Sequence, residues 1–339
     1  MNILITGGTG TFGKCFVNFL IDNDLDFDRI AIFSRDEYKQ HAMERNLRKK
    51  VGDDLFEKRI RMWIGDVRDV ERLETAFQDI DYVIHAAALK HVPVCEYNPN
   101  EAIKTNIVGT KNVIAAAIKQ GVLKVIGLST DKAVEPVNLY GATKMAAEKL
   151  LVYGNSNKTK ICSVRYGNII GSRGSVIEVF ENQNKKNWPE PFTVTSSEMT
   201  RFWMPAEESV KLVLHALSYG IGGEVFLPKK DKIKCGYVGE IANIINPSRD
   251  IKYTGVRPGE KLHEILLNQT EYDRLYLSEG KNNEEFYAIL PEKRRPHWYE
   301  GLYEFYSPNK IILNEKYCSN SFNSKDNDEF VELIKRFVG

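Results

Sequence analysis

The chain has 339 residues, enough for one large or two smaller domains around a sizeable core. Its 47 Lys and Arg residues are balanced by 46 Asp and Glu residues, and the net charge of +1 gives no reason to expect nucleic acid or an acidic membrane surface as a partner. The five cysteines are scattered, with no CxxC pair and no metal-ligand spacing. Because there is also no signal-peptide pattern and no apolar run of about 18 residues, we expect a cytoplasmic protein with reduced thiols, no metal and no membrane span.

The first predicted strand, Asn2–Thr6, runs directly into a glycine-rich turn and then a helix. Gly7, Gly10 and Gly13 are spaced GxxGxxG, so the backbone of this turn can approach a pyrophosphate while the helix N-terminus faces its charge. A glycine set alone is weak evidence. Its place at the first strand-to-helix junction nevertheless indicates a dinucleotide-binding turn.

The second predicted strand, residues 29–33, ends in a polar run that bears on the choice of cofactor. An NAD site usually has an acidic residue here for the ribose hydroxyls, whereas Ser34 and Arg35 offer a donor and a cation for a 2′-phosphate. The sequence therefore favours NADP over NAD. A solvated charged loop remains an alternative, because Asp36 and Glu37 follow at once.

The third and fourth predicted strands, residues 61–64 and 82–85, are each followed by residues suited to a dinucleotide site. Asp66 is placed to meet the adenine, and the small residues that begin at Ala86 let a ligand lie along the strand ends. His85 ends an apolar run and is interpreted as a packed histidine rather than a ligand.

The fifth predicted strand, residues 125–128, opens the stretch in which proton-carrying groups are concentrated. Thr130, Asp131 and Lys132 supply a hydroxyl, a carboxyl group and an amine within three positions, and a helix is predicted to begin near Asn138. So many proton carriers are unusual in an inert loop, which indicates acid–base chemistry at this point of the chain.

Tyr140 and Lys144 lie four positions apart in that helix, so the phenol and the ammonium share one face and can address one ligand. A free phenol has a pKa of about 10, so its use as a base near neutrality requires a pKa lower by about 3, to which a neighbouring cation contributes. We therefore expect Lys144 to lower the pKa of Tyr140. Taken alone, the pair occurs by chance in many helices, so its meaning depends on a cofactor site elsewhere.

Strands and helices alternate up to a sixth predicted strand, residues 161–166, and then the rhythm becomes irregular. This alternation predicts an α/β fold with a doubly wound parallel sheet of the Rossmann type, strand order 3-2-1-4-5-6, and a ligand at the carboxyl ends of the strands. We predict an NADP-binding Rossmann domain over residues 1–167, to which some later segments return. Residues 168–339 are predicted to form mainly a smaller substrate-binding lobe.

Two motifs in the predicted lobe place charged groups beside aromatic residues or a tight turn. Arg201 stands next to Phe202 and Trp203, and Arg257 and Glu260 flank a Pro-Gly turn. Arginine can hold a diphosphate with two hydrogen bonds, and a glutamate can accept both hydroxyls of a ribose. A surface salt bridge between Arg257 and Glu260 is the alternative interpretation.

The glycine turn, Asp66-Val67, Ser129-Thr130 and the YGATK run at 140–144 resemble the extended short-chain dehydrogenase/reductase superfamily. Within it the chain is similar to the C5-inverting UDP-N-acetylglucosamine 4,6-dehydratases, from residue 2 to about residue 264. The likeness rests on SRDE at 34–37, HAAALKHVP at 85–93, STDKA at 129–133, RYGN at 165–168 and RPGEKLH at 257–263. Lys132 is typical of the UDP-N-acetylglucosamine branch, and Tyr140 stands where its membrane-bound, non-inverting members usually have Met.

The resemblance implies roles for individual residues. Catalysis is assigned to Thr130, Asp131, Lys132, Tyr140 and Lys144. NADP binding is assigned to Gly7, Gly10, Thr11, Phe12, Gly13, Ser34, Arg35, Asp36, Lys39, Asp66, Val67, Ala86, Lys90, Tyr140, Lys144 and Ile169. Binding of a UDP-sugar is assigned to Lys90, Thr130, Asn168, Arg201, Arg257 and Glu260, with Asn168 and Arg257 at the diphosphate and Glu260 at the uridine ribose.

The resemblance also implies a mechanism. Tyr140 takes the C4 hydroxyl proton during oxidation at C4. Lys132 then removes the C5 proton, and Asp131 helps the C6 hydroxyl leave as water. Hydride return to C6 and reprotonation of C5 from the other face give an inverted 4-keto-6-deoxy sugar. As a base Lys132 must be neutral, so we expect burial or a cation such as Lys90 to bring its pKa toward about 7–8.

Three alternatives remain open from the sequence: a UDP-sugar 4-epimerase, a non-inverting 4,6-dehydratase, and a non-catalytic NADP-binding regulator. An epimerase needs Tyr140 and Lys144 but has no use for Asp131 and Lys132. Superfamily members commonly pair through the helices predicted near 101–120 and 138–154, so we expect a homo-oligomer, either a dimer or a hexamer. Asn106, inside the first of these helices, is interpreted as a structural polar contact.

Overall fold

The computed structural model describes residues 1–185, 190–292, 300–313, 316–321 and 324–338. Its strands in chain order are β1 (Asn2–Thr6), β2 (Arg29–Ser34), β3 (Ile60–Ile64), β4 (Tyr82–His85), β5 (Lys124–Leu128), β6 (Lys160–Val164), β7 (Asn168–Ile169), β8 (Phe192–Val194), β9 (Thr200–Met204), β10 (Val225–Leu227), β11 (Lys234–Tyr237), β12 (Ile251–Tyr253), β13 (Leu275–Glu279) and β14 (Glu285–Ile289). Its helices are α1 (Thr11–Asp22), α2 (Glu37–Val51), α3 (Asp53–Arg59), α4 (Val70–Ala76), α5 (Val92–Tyr97), α6 (Pro99–Ile103), α7 (Gly109–Gln120), α8 (Leu139–Val152), α9 (Val176–Lys185), α10 (Ala206–Tyr219), α11 (Val238–Ile245), α12 (Glu300–Tyr306) and α13 (Ser324–Val338).

The large sheet has the order β13-β14-β10-β6-β5-β4-β1-β2-β3 among the described residues. Its part from β3 to β6 has the predicted order 3-2-1-4-5-6, which is therefore confirmed. The sheet continues beyond β6 through β10, which is parallel to β6, and then through the antiparallel strands β14 and β13. The prediction stopped at six strands because β10 is only three residues long and the last two strands do not alternate with helices.

The interiors of the central strands are mostly apolar because helices cover both faces of the sheet. Ile5 pairs with Ile84, which in turn pairs with Ile126, and all three lie in one core cluster with residues of α1 and α10. Leu4 points to the opposite face and joins residues of α4 and α7. The carboxyl ends of β1, β4, β5 and β6 therefore converge at one edge between two helical layers, where ligands of such sheets bind.

The long helix predicted over residues 101–120 is present, but α6 passes into α7 through a π-helical turn, Lys104–Val108. Asn106 is buried in this turn. Its Nδ2 donates to the Leu89 carbonyl and to Thr143 Oγ1, both at 3.0 Å, and its Oδ1 accepts from the Leu89 amide at 2.8 Å. Asn106 thus makes the structural contact predicted for it, because it joins the loop after β4 to α8.

Two small sheets, β11-β9-β7 and β12-β8, lie outside the large sheet among the described residues. They surround a separate apolar cluster that includes Phe180, Trp203 and Phe330 from α9, β9 and α13. Strand β7 follows β6 after a short connection, so the lobe begins directly at the edge where the strand ends converge. None of the helices in the described part of the chain is long and apolar enough to cross a membrane.

Candidate active site

The glycine turn after β1 has the close backbone contacts that its spacing predicted. Gly7 has φ +69°, and a Cβ there would lie 2.8 Å from the amide nitrogen of Ala87. At Gly13 a Cβ would lie 2.4 Å from the Gly8 carbonyl oxygen, so this position brings α1 tightly against the turn. Gly10 is the N-cap of α1 and supplies no side-chain cap, which leaves the first amides of the helix directed at the strand edge.

Thr11 and Phe12, the first residues of α1, have different surroundings. The Thr11 hydroxyl accepts a hydrogen bond from the Arg173 amide at 3.1 Å, so the loop after β7 passes over the glycine turn. Phe12 is buried and stacks on Phe16, with 5.7 Å between ring centroids. Thr11 therefore lies at the cleft, while the side chain of Phe12 anchors the helix.

The polar residues at the end of β2 differ in their exposure to solvent. Ser34 is buried, and its Oγ accepts a hydrogen bond from Gln40 Nε2 at 3.1 Å. Asp36 caps α2 by accepting from the Lys39 amide at 3.0 Å, and its carboxylate also pairs with the Lys39 ammonium. Arg35, by contrast, projects into solvent with 52% of its side chain exposed.

Asp66 and Val67 follow β3 on the neighbouring strand. The Asp66 carboxylate lies 2.7 Å from the Arg68 guanidinium and 3.6 Å from that of Arg35. Although partial burial opposes it, the hydrogen bonds from Arg68 hold the pKa of Asp66 below its ordinary value. Val67 is buried against Gly109, which brings α7 close to this strand end.

The loop after β4 carries Ala86 and Lys90 along the same edge. His85 is fully packed, with Thr6 Oγ1 at 2.8 Å from Nδ1 and Thr110 Oγ1 at 3.0 Å from Nε2, and burial lowers its pKa to about 3. This confirms its interpretation as a packed histidine. Lys90 is exposed by surface area at this edge, and desolvation and the cation of Arg173 lower its pKa.

The turn after β5 brings the three predicted proton carriers together. Thr130 Oγ1 donates to Asp131 Oδ1 at 2.9 Å, and Lys132 Nζ donates to the same oxygen at 3.1 Å. Asp131 is completely buried, whereas Lys132 keeps 21% of its side chain exposed. Asn168 Oδ1 accepts a further hydrogen bond from Lys132 Nζ at 3.1 Å, so the residue predicted at a diphosphate contacts the predicted base in this structure.

Helix α8 begins at Leu139 and is capped by Asn138, whose Oδ1 accepts from the Gly141 amide at 2.7 Å. The predicted start near residue 138 is thus confirmed. A Cβ at Gly141 would lie 2.3 Å from the Lys132 carbonyl oxygen, so glycine lets α8 pack directly on the turn. This contact sets Tyr140 beside Asp131 and Lys132.

The protein's own groups do not lower the pKa of Tyr140, contrary to the expectation. Burial raises it to about 12, because the cation of Lys132 and the nearby Thr130 hydroxyl only partly offset the loss of hydration. Lys144 contributes little to Tyr140, since its Nζ donates to the Leu128 carbonyl at 2.7 Å and burial lowers its own pKa to about 8. Spacing on a helix face could not reveal either burial effect.

The expectation of a lowered pKa at Lys132 is also wrong for the protein alone. Burial does lower it, but the carboxylates of Asp131 and Glu264 outweigh burial, so the pKa of Lys132 is raised. The pKa of Asp131 is raised as well, chiefly by burial. The resting pair is therefore an ion pair in a site that penalises separated charges.

Residues of the lobe approach this turn from the opposite side. Ile169 belongs to β7 beside Asn168. Arg201 is buried, and its guanidinium donates to the Thr200 carbonyl at 2.7 Å and the Leu262 carbonyl at 3.1 Å. Its direct contacts are thus with the lobe itself.

Arg257 and Glu260 form a loose ion pair, with 3.9 Å between Nη1 and Oε1. The Arg257 side chain is 64% exposed, while Glu260 is partly buried. Asn138 Nδ2 donates to the Gly259 carbonyl at 2.8 Å, so this turn is attached to the start of α8. The surface salt bridge considered from the sequence is therefore present, on the turn that meets the start of α8.

Two buried charged groups near the site were missed from the sequence. Glu264 Oε1 lies 3.5 Å from Lys132 Nζ, although the two residues are far apart in the chain. Arg165, at the end of β6, is held by the carboxylates of Glu148 on α8 and Glu271. Glu264 directly follows the RPGEKLH run and Arg165 is the first residue of RYGN, so the charged residues in and beside these runs were the available signal.

The large Rossmann sheet, its glycine turn and the Tyr140–Lys144 pair give this chain the architecture of the extended short-chain dehydrogenases/reductases. Residues 3–282 match the family described as "Polysaccharide biosynthesis protein", and the chain belongs to that family.

Two curated relatives carry different names. The chain is 46% identical over 298 residues to a Campylobacter jejuni (strain 81-176) protein named UDP-N-acetylglucosamine 4,6-dehydratase (inverting), a match that covers 86% of this chain and 83% of that protein. It is 40% identical over 339 residues to a Rickettsia bellii (strain OSU 85-389) protein named UDP-glucose 4-epimerase, covering 98% of this chain and 94% of that protein.

Solved structures resemble the fold. The X-ray structure of Pen from Bacillus thuringiensis has a TM-score of 0.83 and 35% identity, covering 99% of this chain and 98% of that chain. A dTDP-glucose 4,6-dehydratase from Streptomyces venezuelae, a double mutant with NAD and DAU bound, has a TM-score of 0.67 at 20% identity, covering 77% of this chain and 87% of that chain. The second likeness concerns the fold alone.

Proposed function

We propose that the chain is an inverting UDP-N-acetylglucosamine 4,6-dehydratase, a lyase that forms a UDP-4-keto-6-deoxy-hexose with inversion at C5. The observation that carries the proposal is the contact of 3.1 Å between the Asp131 carboxylate and the Lys132 ammonium, beside the buried phenol of Tyr140. Loss of water across C5 and C6 needs an acid and a base on adjacent carbons, in addition to the group that handles the C4 hydroxyl proton. The 46% identity to a relative of this name supports the assignment.

The three side chains divide the proton transfers. Tyr140 takes the C4 hydroxyl proton, Lys132 takes the C5 proton, and Asp131 gives a proton to the departing C6 hydroxyl, which leaves as water. For this step Asp131 must be protonated and Lys132 must be a neutral amine. This state differs from the ion pair seen in the structure by the transfer of one proton from Lys132 to Asp131. Elimination then restores the ion pair, because the proton gained by Lys132 and the proton lost by Asp131 balance. C5 regains a proton of solvent origin from the other face, and Tyr140 releases the C4 hydroxyl proton to solvent.

The glycine turn and the ends of β2 and β3 fit a nicotinamide dinucleotide. A bound nicotinamide would supply the hydride acceptor for C4 and a positive charge near the phenol while oxidised, and the hydride donor for C6 once reduced. Gly7, Gly10 and Gly13 each have close backbone contacts that leave little room for a side chain. The pyrophosphate could therefore approach the backbone of this turn directly. Without a further positive charge the phenol of Tyr140, with a pKa of about 12, stays protonated near neutral pH.

We propose NADP rather than NAD because Arg35 is a largely exposed guanidinium at the end of β2. Ser34 contributes less than expected, since it is buried and bonded to Gln40. NADP⁺ should therefore raise the melting temperature of the purified protein more than the same concentration of NAD⁺. Equal shifts, or a larger one with NAD⁺, would contradict this preference.

The cations around the cleft fit the UDP-sugar. Lys90 follows β4 close enough to Lys132 for their charges to interact, and Arg257 and Glu260 lie on a turn attached to α8. We propose that Arg257 contacts the diphosphate and Glu260 the ribose, with Lys90, Thr130, Asn168 and Arg201 closer to the sugar. Anchoring the nucleotide at this turn would leave the hexose between Tyr140 and Lys132.

The relative named UDP-glucose 4-epimerase makes epimerase the second candidate. Incubation with UDP-N-acetylglucosamine, followed by mass spectrometry and by NMR of the product formed in D₂O, separates the two. We expect loss of one water, deuterium at C5 and inverted configuration there. A galacto product of unchanged mass would show an epimerase, retained C5 configuration a non-inverting dehydratase, and an unaltered substrate would contradict the enzymatic proposal.

We also propose a homo-oligomer built through the helices α6, α7 and α8. Apolar side chains on these helices remain partly exposed, namely Ile103 at 39%, Ile118 at 42% and Met145 at 40%. A helical interface would remove this apolar surface from water. Static light scattering on the purified chain measures the mass directly, and a monomer at all concentrations would contradict the proposal.

A further inference from the structure

The lobe presents one buried carboxylate to the catalytic turn, that of Glu264, which the mechanism above does not use. Its Oε1 lies 3.5 Å from Lys132 Nζ and 3.9 Å from Arg201 Nε, and its Oε2 lies 3.7 Å from Lys261 Nζ. The side chain is 4% exposed, and Oε2 has no hydrogen-bond partner among the described residues. One carboxylate thus faces three cations, of which one is the proposed base.

The backbone of Glu264 is fixed by a segment near the end of the chain. The Glu264 amide donates to Ser319 Oγ at 2.9 Å, and the Ser319 amide donates to the Glu264 carbonyl at 2.8 Å. Ser319 Oγ also lies 2.8 Å from Thr200 Oγ1 on β9. These hydrogen bonds fix the backbone of Glu264 in the lobe, and its buried side chain places the carboxylate beside Lys132.

We infer that Glu264 is a positioning residue that acts through Lys132, fixing its amine and setting the pH range in which the Asp131–Lys132 pair holds one proton. The inference rests on the proposed function. An ammonium has three N–H donors, and three acceptors surround this one: Asp131 Oδ1 and Asn168 Oδ1 at 3.1 Å and Glu264 Oε1 at 3.5 Å. When Lys132 loses a proton, its two remaining N–H groups stay bound to two of these acceptors. Those two contacts then determine the direction of the nitrogen lone pair.

The charges around Lys132 determine the sign of the effect. Asp131 and Glu264 raise its pKa against burial, while the cation of Arg201 lowers it. Lys90, also a cation, faces Lys132 from the sheet, and Tyr140 is close enough to interact with it. The charge of Glu264 also contributes to the raised pKa of Asp131. Removing that charge should thus lower both pKa values of the pair.

The test is the pH dependence of kcat for water loss in Glu264→Gln and Lys261→Gln. The acidic limb requires Lys132 to lose a proton and the alkaline limb requires Asp131 to keep one, so Glu264→Gln should move both limbs to lower pH by about one unit. Lys261→Gln removes a cation from the far side of Glu264 and should move them to higher pH. Glu271→Gln is the matched control, because it removes a buried carboxylate outside the site and should lower the melting temperature without displacing the profile.

The outcomes are separable. If the parent protein releases no water from UDP-N-acetylglucosamine, the proposed function fails. If the parent is active and the Glu264→Gln profile coincides with it, or moves no further than that of Glu271→Gln, the inference is overturned while the function stands. Should Glu264→Gln fail to fold, Lys261→Gln decides, because a shift to lower pH or none at all would contradict the inference.

Discussion

Replacing Lys132 with alanine is expected to lower kcat for water loss by about 10²- to 10⁴-fold, the contribution typical of a general base. The reason is geometric: Lys132 Nζ lies 3.1 Å from the carboxylate of its proposed acid partner, and no other amine of the described residues lies within 4 Å of Asp131. KM should change little, because the contacts proposed for the nucleotide lie on the turn of Arg257 and Glu260. Asp131 is left without its cation, but protonation can relieve the buried charge, so the variant should still fold.

Chemical rescue distinguishes a lost base from a damaged site. Methylamine added to Lys132→Ala should restore part of the rate, and the restored rate should rise with pH as the amine is deprotonated. Lys119→Ala on α7 is the matched control, since Lys119 pairs with Glu74 far from the cleft and its loss should leave the rate unchanged. Water loss by Lys132→Ala at the parent rate would remove Lys132 from the mechanism.

Much of the fold could be predicted from the sequence because its signals are local. The apolar runs of β1 to β6, the helices between them and the glycine turn at the first junction determine a doubly wound sheet, and the right-handed crossover rule leaves few orders for its strands. The later strands were missed because β10 has three residues and pairs with a strand from far along the chain. Pairings of that kind depend on the packed structure.

The residues that lie together in the candidate site could be predicted from the sequence, but the shifts of their pKa values could not. Spacing correctly placed Tyr140 near Thr130, Asp131 and Lys132. It could not show that burial raises the pKa of Tyr140 to about 12, or that Glu264 joins Asp131 in outweighing burial at Lys132. Those effects come from desolvation and from a carboxylate more than a hundred positions away, neither of which has a local signature.

Replacing Arg165 with methionine is expected to reduce the free energy of unfolding by about 3–5 kcal/mol, the range for breaking a buried ion pair. The Arg165 guanidinium lies 2.6 Å from Glu148 Oε1 and 2.8 Å from Glu271 Oε1, and it also donates to the Leu266 carbonyl at 2.8 Å. Methionine would fill much of the volume but leave two buried carboxylates without a cation. Because Glu148 is on α8, eight positions after Tyr140, kcat should fall as well.

The pH dependence of stability makes this prediction specific. Although burial opposes it, Arg165 lowers the pKa of Glu271 in the folded parent, so this carboxylate stabilises the parent above its unfolded pKa of about 4.3, and the contribution is lost as pH falls through the folded value. In Arg165→Met burial, the largest influence on that pKa, is opposed only by the Asn268 amide and the cation of Arg274, so the pKa should rise and the destabilisation should grow as pH rises past about 4.3. Urea unfolding of parent and variant should thus differ most near pH 7 and least near pH 4. Adding Glu148→Gln and Glu271→Gln to Arg165→Met removes the unpaired charges and should recover part of the lost free energy of unfolding at pH 7. If Arg165→Met lowers the free energy of unfolding equally at pH 4 and pH 7, Arg165 acts through packing instead.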